Sequence, residues 1–338
     1  MVLLAAAAPC IDKAALESQL DGAQKSYERF LSNYAGPPGG LAGLQLFERI
    51  KDDRHELEDV PPSGFPEDDW QLTLESRVAL DTSLVGELEA PPSTLALEPG
   101  LHDQIVRSRV DGVLDAVATY VPAVAPRSVA VVLHGTPQTE AELLASPYLT
   151  RLADTTSTVL VAPFGRGSYD FQGAARDDLY ALITALRSMP QFQSLPFYLV
   201  GYSMGGFATY IVGPKAPVDW SGVLDVSGAL RGSVSAAVLA RWRHTRIYVV
   251  HGERDAVIPV GFARNSALFL FQSGVPVSYF EQPGGGHGLY QLVPALASAW
   301  RDMLRGTVDQ SNVVRLVQPD QIDVSGGGSA SEVRQKLP

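Results

Sequence analysis

Between residues 128 and 305 the chain repeatedly alternates a short apolar run with a longer stretch of helical spacing. The apolar runs fall at 128–133, 158–162, 197–201, 221–227, 245–250 and 275–281. The helical stretches fall at 139–154, 172–188, 203–212, 232–242, 261–273 and 289–305. Such alternation is the sign of a parallel sheet covered by helices on both faces, with right-handed crossovers. Two earlier runs, 105–110 and 114–121, flank Asp111-Gly112 and predict an opening antiparallel pair. The expected class is therefore α/β, a mostly parallel sheet of about eight strands.

One strand-to-helix junction carries chemistry. Phe197-Tyr198-Leu199-Val200 runs straight into Gly201-Tyr202-Ser203-Met204-Gly205, and the following residues continue as a helix. A serine on so sharp a turn is held with its hydroxyl above the sheet edge. The glycines are needed because a side chain there collides with the adjoining strand and helix. The helix N-terminus that follows favours developing negative charge. A serine hydroxyl is a poor nucleophile at neutral pH, so it needs a base and a group that orients the base.

Both are available downstream. Asp255 lies in the loop after the run 245–250, within His251-Gly252-Glu253-Arg254-Asp255. His287 lies in the glycine loop Pro283-Gly284-Gly285-Gly286-His287-Gly288, where a histidine has no apolar face to pack. The order Ser203, Asp255, His287 gives nucleophile, orienting acid and base, each just past a strand end. Glu253 and Asp225 are rivals for the acid. Asp255 is preferred because the loop then has room to turn before Ile258-Pro259. His251 reads as a strand-end histidine with a structural hydrogen bond. For the oxyanion, the backbone N–H of Met204 pairs with that of Thr136, in the His134-Gly135-Thr136-Pro137 turn after the run 128–133. Pro137 has no N–H to offer.

The segments VVLHGTP, FYLVGYSMGGFA, YVVHGERDAVIP and GGGHG resemble the α/β-hydrolase superfamily. They look most like its bacterial esterases and the catalytic domains of prolyl-oligopeptidase-type peptidases. Ala162-Pro163-Phe164-Gly165-Arg166-Gly167 is similar to a P-x-G-R-G loop of that branch. The resemblance covers about residues 95 to 306. It implies the α/β-hydrolase fold, with serine hydrolysis of carboxylic esters as the leading activity. Two alternatives carry the same triad: a prolyl-oligopeptidase-type peptidase, and a feruloyl- or polyester-degrading esterase. The 95 or so residues ahead of the hydrolase unit are too few for a peptide-selecting propeller. Phe164, Arg166, Tyr202 and Tyr290 lie on or beside motif loops and are the candidate substrate contacts. Arg166 reads equally as a structural anchor for its loop.

Composition bounds the partners. The formal net charge of −11 offers no attraction to nucleic acid or an anionic membrane. A small-molecule ester is the expected partner, and oligomeric state is not readable. The single cysteine, Cys10, excludes an intrachain disulfide, and no metal-ligand spacing occurs, so neither metal nor cofactor is expected. No stretch is long enough to span a bilayer. The apolar start lacks a basic leader region, which favours a cytoplasmic protein; a trimmed signal remnant in residues 1–10 would make it secreted.

Three regions are expected. Residues 1–95 form a helical extension and linker, 96–307 the hydrolase unit, and 308–338 a mobile tail. Helices are predicted at 11–34 and about 41–55, and strand-like alternation between Trp70 and Glu89. The stretch 228–245 is too short for a large lid. Any cover over the site therefore falls to the helices at 11–55, which read equally as packing on the back of the sheet.

Overall fold

The computed structural model describes residues 11–36, 40, 41, 44–92, 94–167, 169–232 and 234–316. The expectations for residues 1–10, including Cys10, and for 317–338 lie outside the described residues. The chain divides between Leu195 and Pro196 into two compact units.

The N-terminal unit opens with three helices, α1 (Lys13–Asn33), α2 (Leu46–Glu58) and α3 (Glu67–Glu87). Four strands follow: β1 (Gly100–Arg107), β2 (Leu114–Val121), β3 (Ser128–Leu133) and, after α4 (Glu140–Ala145) and α5 (Pro147–Thr156), β4 (Thr158–Pro163). Their order is β1-β2-β4-β3. β1 and β2 pair antiparallel, as do β2 and β4, while β3 runs parallel to β4 with Val131 opposite Val161. The unit ends with α6 (Ala174–Ser188).

The strand-like reading of Trp70 to Glu89 is corrected: this segment is α3. Pro66 sits at the N-cap and Glu67, Asp68 and Asp69 fill the first turn, where carboxylates complement the helix dipole. Leu74, Val78 and Val85 line the buried stripe together with Arg77 and Asp81, which are 4 % and 1 % exposed. Charged residues on the buried side hid the helical period. The single helix expected at 139–154 is two. Pro147 lacks an N–H and cannot continue α4, but it suits the first position of α5. All three N-terminal helices share one apolar core with Ile105, Leu114, Ala116 and Phe164. The expected extension is thus packed against β1 and β2.

The C-terminal unit is more regular. β5 (Phe197–Tyr202), α7 (Met204–Val212), β6 (Gly222–Val226), α8 (Ala236–Trp242), β7 (Ile247–Gly252), α9 (Gly261–Gln272) and β8 (Val277–Gln282) alternate as predicted. The order β5-β6-β7-β8 is parallel throughout, with Val200 opposite Leu224, Leu224 opposite Tyr248 and Tyr248 opposite Ser278. α10 (Val293–Arg305) packs on β6, β7 and β8 and buries Trp300 and Met303. The tail expected from 308 is corrected at its start. α11 (Ser311–Leu316) packs against α9 and β8, burying Val313, and Asn312 Nδ2 donates to the Tyr279 carbonyl at 3.0 Å.

Candidate active site

The C-terminal ends of β5, β7 and β8 supply the groups that matter. Ser203 joins β5 to α7 with φ 55° and ψ −114°, a conformation most L-residues avoid. Surrounding hydrogen bonds hold it there. The Ser203 N–H donates to the Val226 carbonyl at 2.8 Å, and the Phe207 N–H donates to the Ser203 carbonyl at 3.2 Å. Glycine is required where the turn closes. A Cβ on Gly201 would lie 2.1 Å from the Gly205 carbonyl oxygen.

His287 stands on the loop after β8. Its Nε2 is 2.9 Å from Ser203 Oγ, and its Nδ1 is 2.7 Å from Asp255 Oδ2. The acid and imidazole loops are tied together: Arg254 N–H donates to the Gly285 carbonyl and Gly284 N–H to Glu253 Oε2, both at 2.8 Å. A Cβ on Gly252 would lie 2.2 Å from the Gly286 carbonyl oxygen, so the two loops close only over a glycine.

The state of Asp255 determines the tautomer of His287. Burial works to raise the Asp255 pKa, but hydrogen bonds from His251, His287 and the Ile258 N–H outweigh it and hold the carboxyl well below the usual range. An ionised carboxylate only accepts, so Nδ1 carries the proton facing it. Nε2 then presents a lone pair to the Ser203 hydroxyl. The arrangement can take a proton from Ser203 and hold the resulting imidazolium against a carboxylate.

The two rival acids lie elsewhere. Glu253 accepts from the Gly284 N–H, and Asp225 is fully buried, receiving the Tyr210 hydroxyl at 2.9 Å. Tyr202, a candidate substrate contact, braces His287: its hydroxyl donates to the His287 carbonyl at 3.3 Å, and the ring centroids are 5.5 Å apart. Ser227, which the sequence reading passed over, donates to the same carbonyl at 3.1 Å. Only its place directly after a strand end hinted at this. Tyr290 lies against Gly288, where a Cβ would sit 2.5 Å from its ring.

Met204 is the first residue of α7, the end at which helix N–H groups face outward. Thr136 belongs to the N-terminal unit, between β3 and α4. Two other candidate substrate contacts lie in that unit. Phe164 is a core side chain, 2 % exposed, stacked on His134 and lying 4.5 Å beneath the Arg49 guanidinium. Arg166 bonds Asp111 at 2.7 Å and Asp178 at 2.9 Å, so its guanidinium fork is occupied by two carboxylates and anchors the loop.

Among the described residues, no three His, Cys, Asp or Glu side chains gather in a way that holds a metal ion. None of their helices is long and apolar enough to cross a membrane.

No protein-family model matches the chain, and no curated protein matches its sequence. Solved structures do. Fluorophosphonate-binding serine hydrolase F of Staphylococcus aureus is similar with a TM-score of 0.51 and 14% identity, over 61% of this chain and 99% of that one. An esterase of Pyrobaculum calidifontis gives 0.49 and 16%, over 63% and 88%. A ferulic acid esterase gives 0.49 and 15%, over 62% and 99%. With its strand order, its serine turn and this likeness, the chain has the α/β-hydrolase fold.

Proposed function

We propose that the chain is a serine hydrolase that cleaves carboxylic esters of small molecules through an acyl-enzyme intermediate. The observation that carries this reading is the unbroken hydrogen-bond relay from Ser203 through His287 to Asp255. In the first step Ser203 Oγ attacks the ester carbonyl while its proton passes to His287 Nε2. The proton then goes to the departing alkoxide as the C–O bond breaks. In the second step a water replaces the alcohol, His287 takes its proton, and Ser203 recovers one as the acid leaves. Asp255 keeps Nδ1 protonated and stabilises the imidazolium in both steps. The backbone N–H of Met204, the first residue of α7, is proposed to hold the oxyanion.

The solved structure sharing this fold at a TM-score of 0.51 is described as a fluorophosphonate-binding serine hydrolase, and the same reagent suits this chain. A fluorophosphonate is expected to label Ser203. Ser203→Ala is expected to abolish labelling and lower the hydrolysis of p-nitrophenyl butyrate by about 10⁴-fold. Retention of most esterase activity by the Ser203→Ala protein rejects the assignment. Proline p-nitroanilides assayed beside the ester separate peptidase from esterase. The ester is expected to be turned over far faster.

A further inference from the structure

Asp255 has more partners than a triad requires. Its Oδ1 accepts the N–H groups of Val257 and Ile258, each at 2.8 Å. Its Oδ2, which receives His287, also lies 3.2 Å from Nε2 of a second imidazole, His251. That ring sits at the end of β7 and is completely buried. The same Nε2 is 2.8 Å from the Ile258 carbonyl oxygen. A carbonyl and a carboxylate both accept, so Nε2 must carry the hydrogen that the two share.

Nδ1 of His251 is buried with no hydrogen-bond partner among the described residues. A buried polar atom without a partner costs stability, and an apolar residue at the end of β7 would avoid that cost. Charged and titratable groups surround the His251 ring on each neighbouring element. Asp255 is on its own loop, Asp225 on β6 interacts with it through space, Glu281 pairs opposite it on β8, and His287 lies beyond the shared carboxylate.

We propose that His251 is a positioning residue for the hydrolysis. Its Nε2–H braces Oδ2 of Asp255 and closes the loop from Asp255 to Ile258, so that the carboxylate cannot pivot away from His287. Two backbone donors on one oxygen and two imidazoles on the other fill the roughly four acceptor sites a carboxylate has. Without His251 the carboxylate keeps its two backbone donors on Oδ1 but only His287 on Oδ2, and His287 gains a partner whose charge is no longer shared. The inference rests on the serine-hydrolase reading, since it concerns the acid of that triad.

Glutamine places an amide N–H near the position of Nε2, asparagine places one near Nδ1, and leucine has none. His251→Leu is expected to lower kcat for p-nitrophenyl butyrate by about ten- to a hundredfold with KM nearly unchanged, as a misplaced catalytic group does. The acid limb of its kcat/KM profile is expected at higher pH, because an Asp255 relieved of one donor binds the imidazolium more tightly. His251→Gln is expected to stay within about fivefold of the parent, with an unshifted limb. Circular dichroism and thermal melts check folding. If the leucine variant does not fold, the comparison is glutamine against asparagine, with glutamine expected at least about tenfold more active. The proposal is overturned if a folded His251→Leu protein keeps kcat within twofold. It is equally overturned if the glutamine variant is no better than leucine or asparagine. Fluorophosphonate labelling separates the two levels of failure. An unlabelled Ser203 in the parent protein sinks the hydrolase reading itself. Equal labelling rates in the parent and in His251→Leu sink only the role of His251.

Discussion

A serine at φ 55° persists only where its neighbours over-determine it, and the glycines around Ser203 show how closely they do so. Gly206 on α7 and Gly228 after β6 both lie against Asp225, which pairs with the Tyr210 hydroxyl. A Cβ on Gly206 would sit 2.3 Å from Asp225 Oδ1 and 2.8 Å from Gly228 Cα. Neither can yield, since one is a buried carboxylate and the other is backbone. Gly206→Ala is therefore expected to lose about 1–3 kcal/mol of stability in urea unfolding, with a fall in kcat as the turn shifts. An unchanged kcat would show that α7 has room to move. Ser203 and His287 stood out in the sequence because their local settings, a strand-to-helix turn and a glycine loop, leave little else for them to do. For Phe164 and Arg166, on an equally suggestive loop, the sequence left the side-chain direction open. Whether a loop side chain turns to solvent, to the core or to an ion pair depends on residues far away in sequence, such as Asp111 and Asp178.

At the scale of elements, the N-terminal helices are fastened by buried charge. Arg49 on α2 bonds Asp81 on α3 at 3.0 Å and Glu140 on α4 at 2.7 Å, with all three side chains almost wholly buried. Arg77 on α3 reaches back to Asp53 on α2 at 2.9 Å. Arg49→Met is expected to cost about 3–5 kcal/mol in denaturant unfolding, because it leaves buried carboxylates without their cation. A loss below 1 kcal/mol would mean that water reaches them. The opposite sign is expected at Gly22, exposed within α1, where an added Cβ meets nothing within 4 Å. Gly22→Ala is expected to stabilise by about 0.5–1 kcal/mol, measured in the same assay. These ion pairs are also why α3 was misread. Periodicity arguments count charged residues as solvent-facing, and here they face inward.

For the whole molecule, buried carboxylates set the pH response. Burial, reinforced by Glu140, pushes Asp115 up to about 7. Burial pushes Asp225 up to about 6 against the lowering pull of Tyr210 and His251. In the unfolded chain both return to about 3.9. Between about pH 4 and the folded values, the native state keeps protons that the unfolded state has lost, so stability falls as pH rises. The urea midpoint is expected to be higher at pH 5 than at pH 8, and Asp115→Asn is expected to shrink the difference. Asp255 works in the other direction, but only in acid below its ordinary range, outside this interval. A midpoint that rises from pH 5 to pH 8 would contradict the protonated state assigned to these two groups.

The amino-acid order alone was enough for the alternating C-terminal unit, the serine turn and the placing of Ser203, Asp255 and His287 each just past a strand end. Each of these rests on local periods or on glycines whose necessity is steric and short-range. Only the folded chain decided which carboxylate meets His287, that Tyr202 and Ser227 hold its carbonyl, and that a second imidazole shares Asp255. It also decided that charged residues of α2, α3 and α4 form part of a core. Those outcomes depend on desolvation and on hydrogen bonds between residues distant along the chain, and the strength of both is set by what surrounds each group after folding.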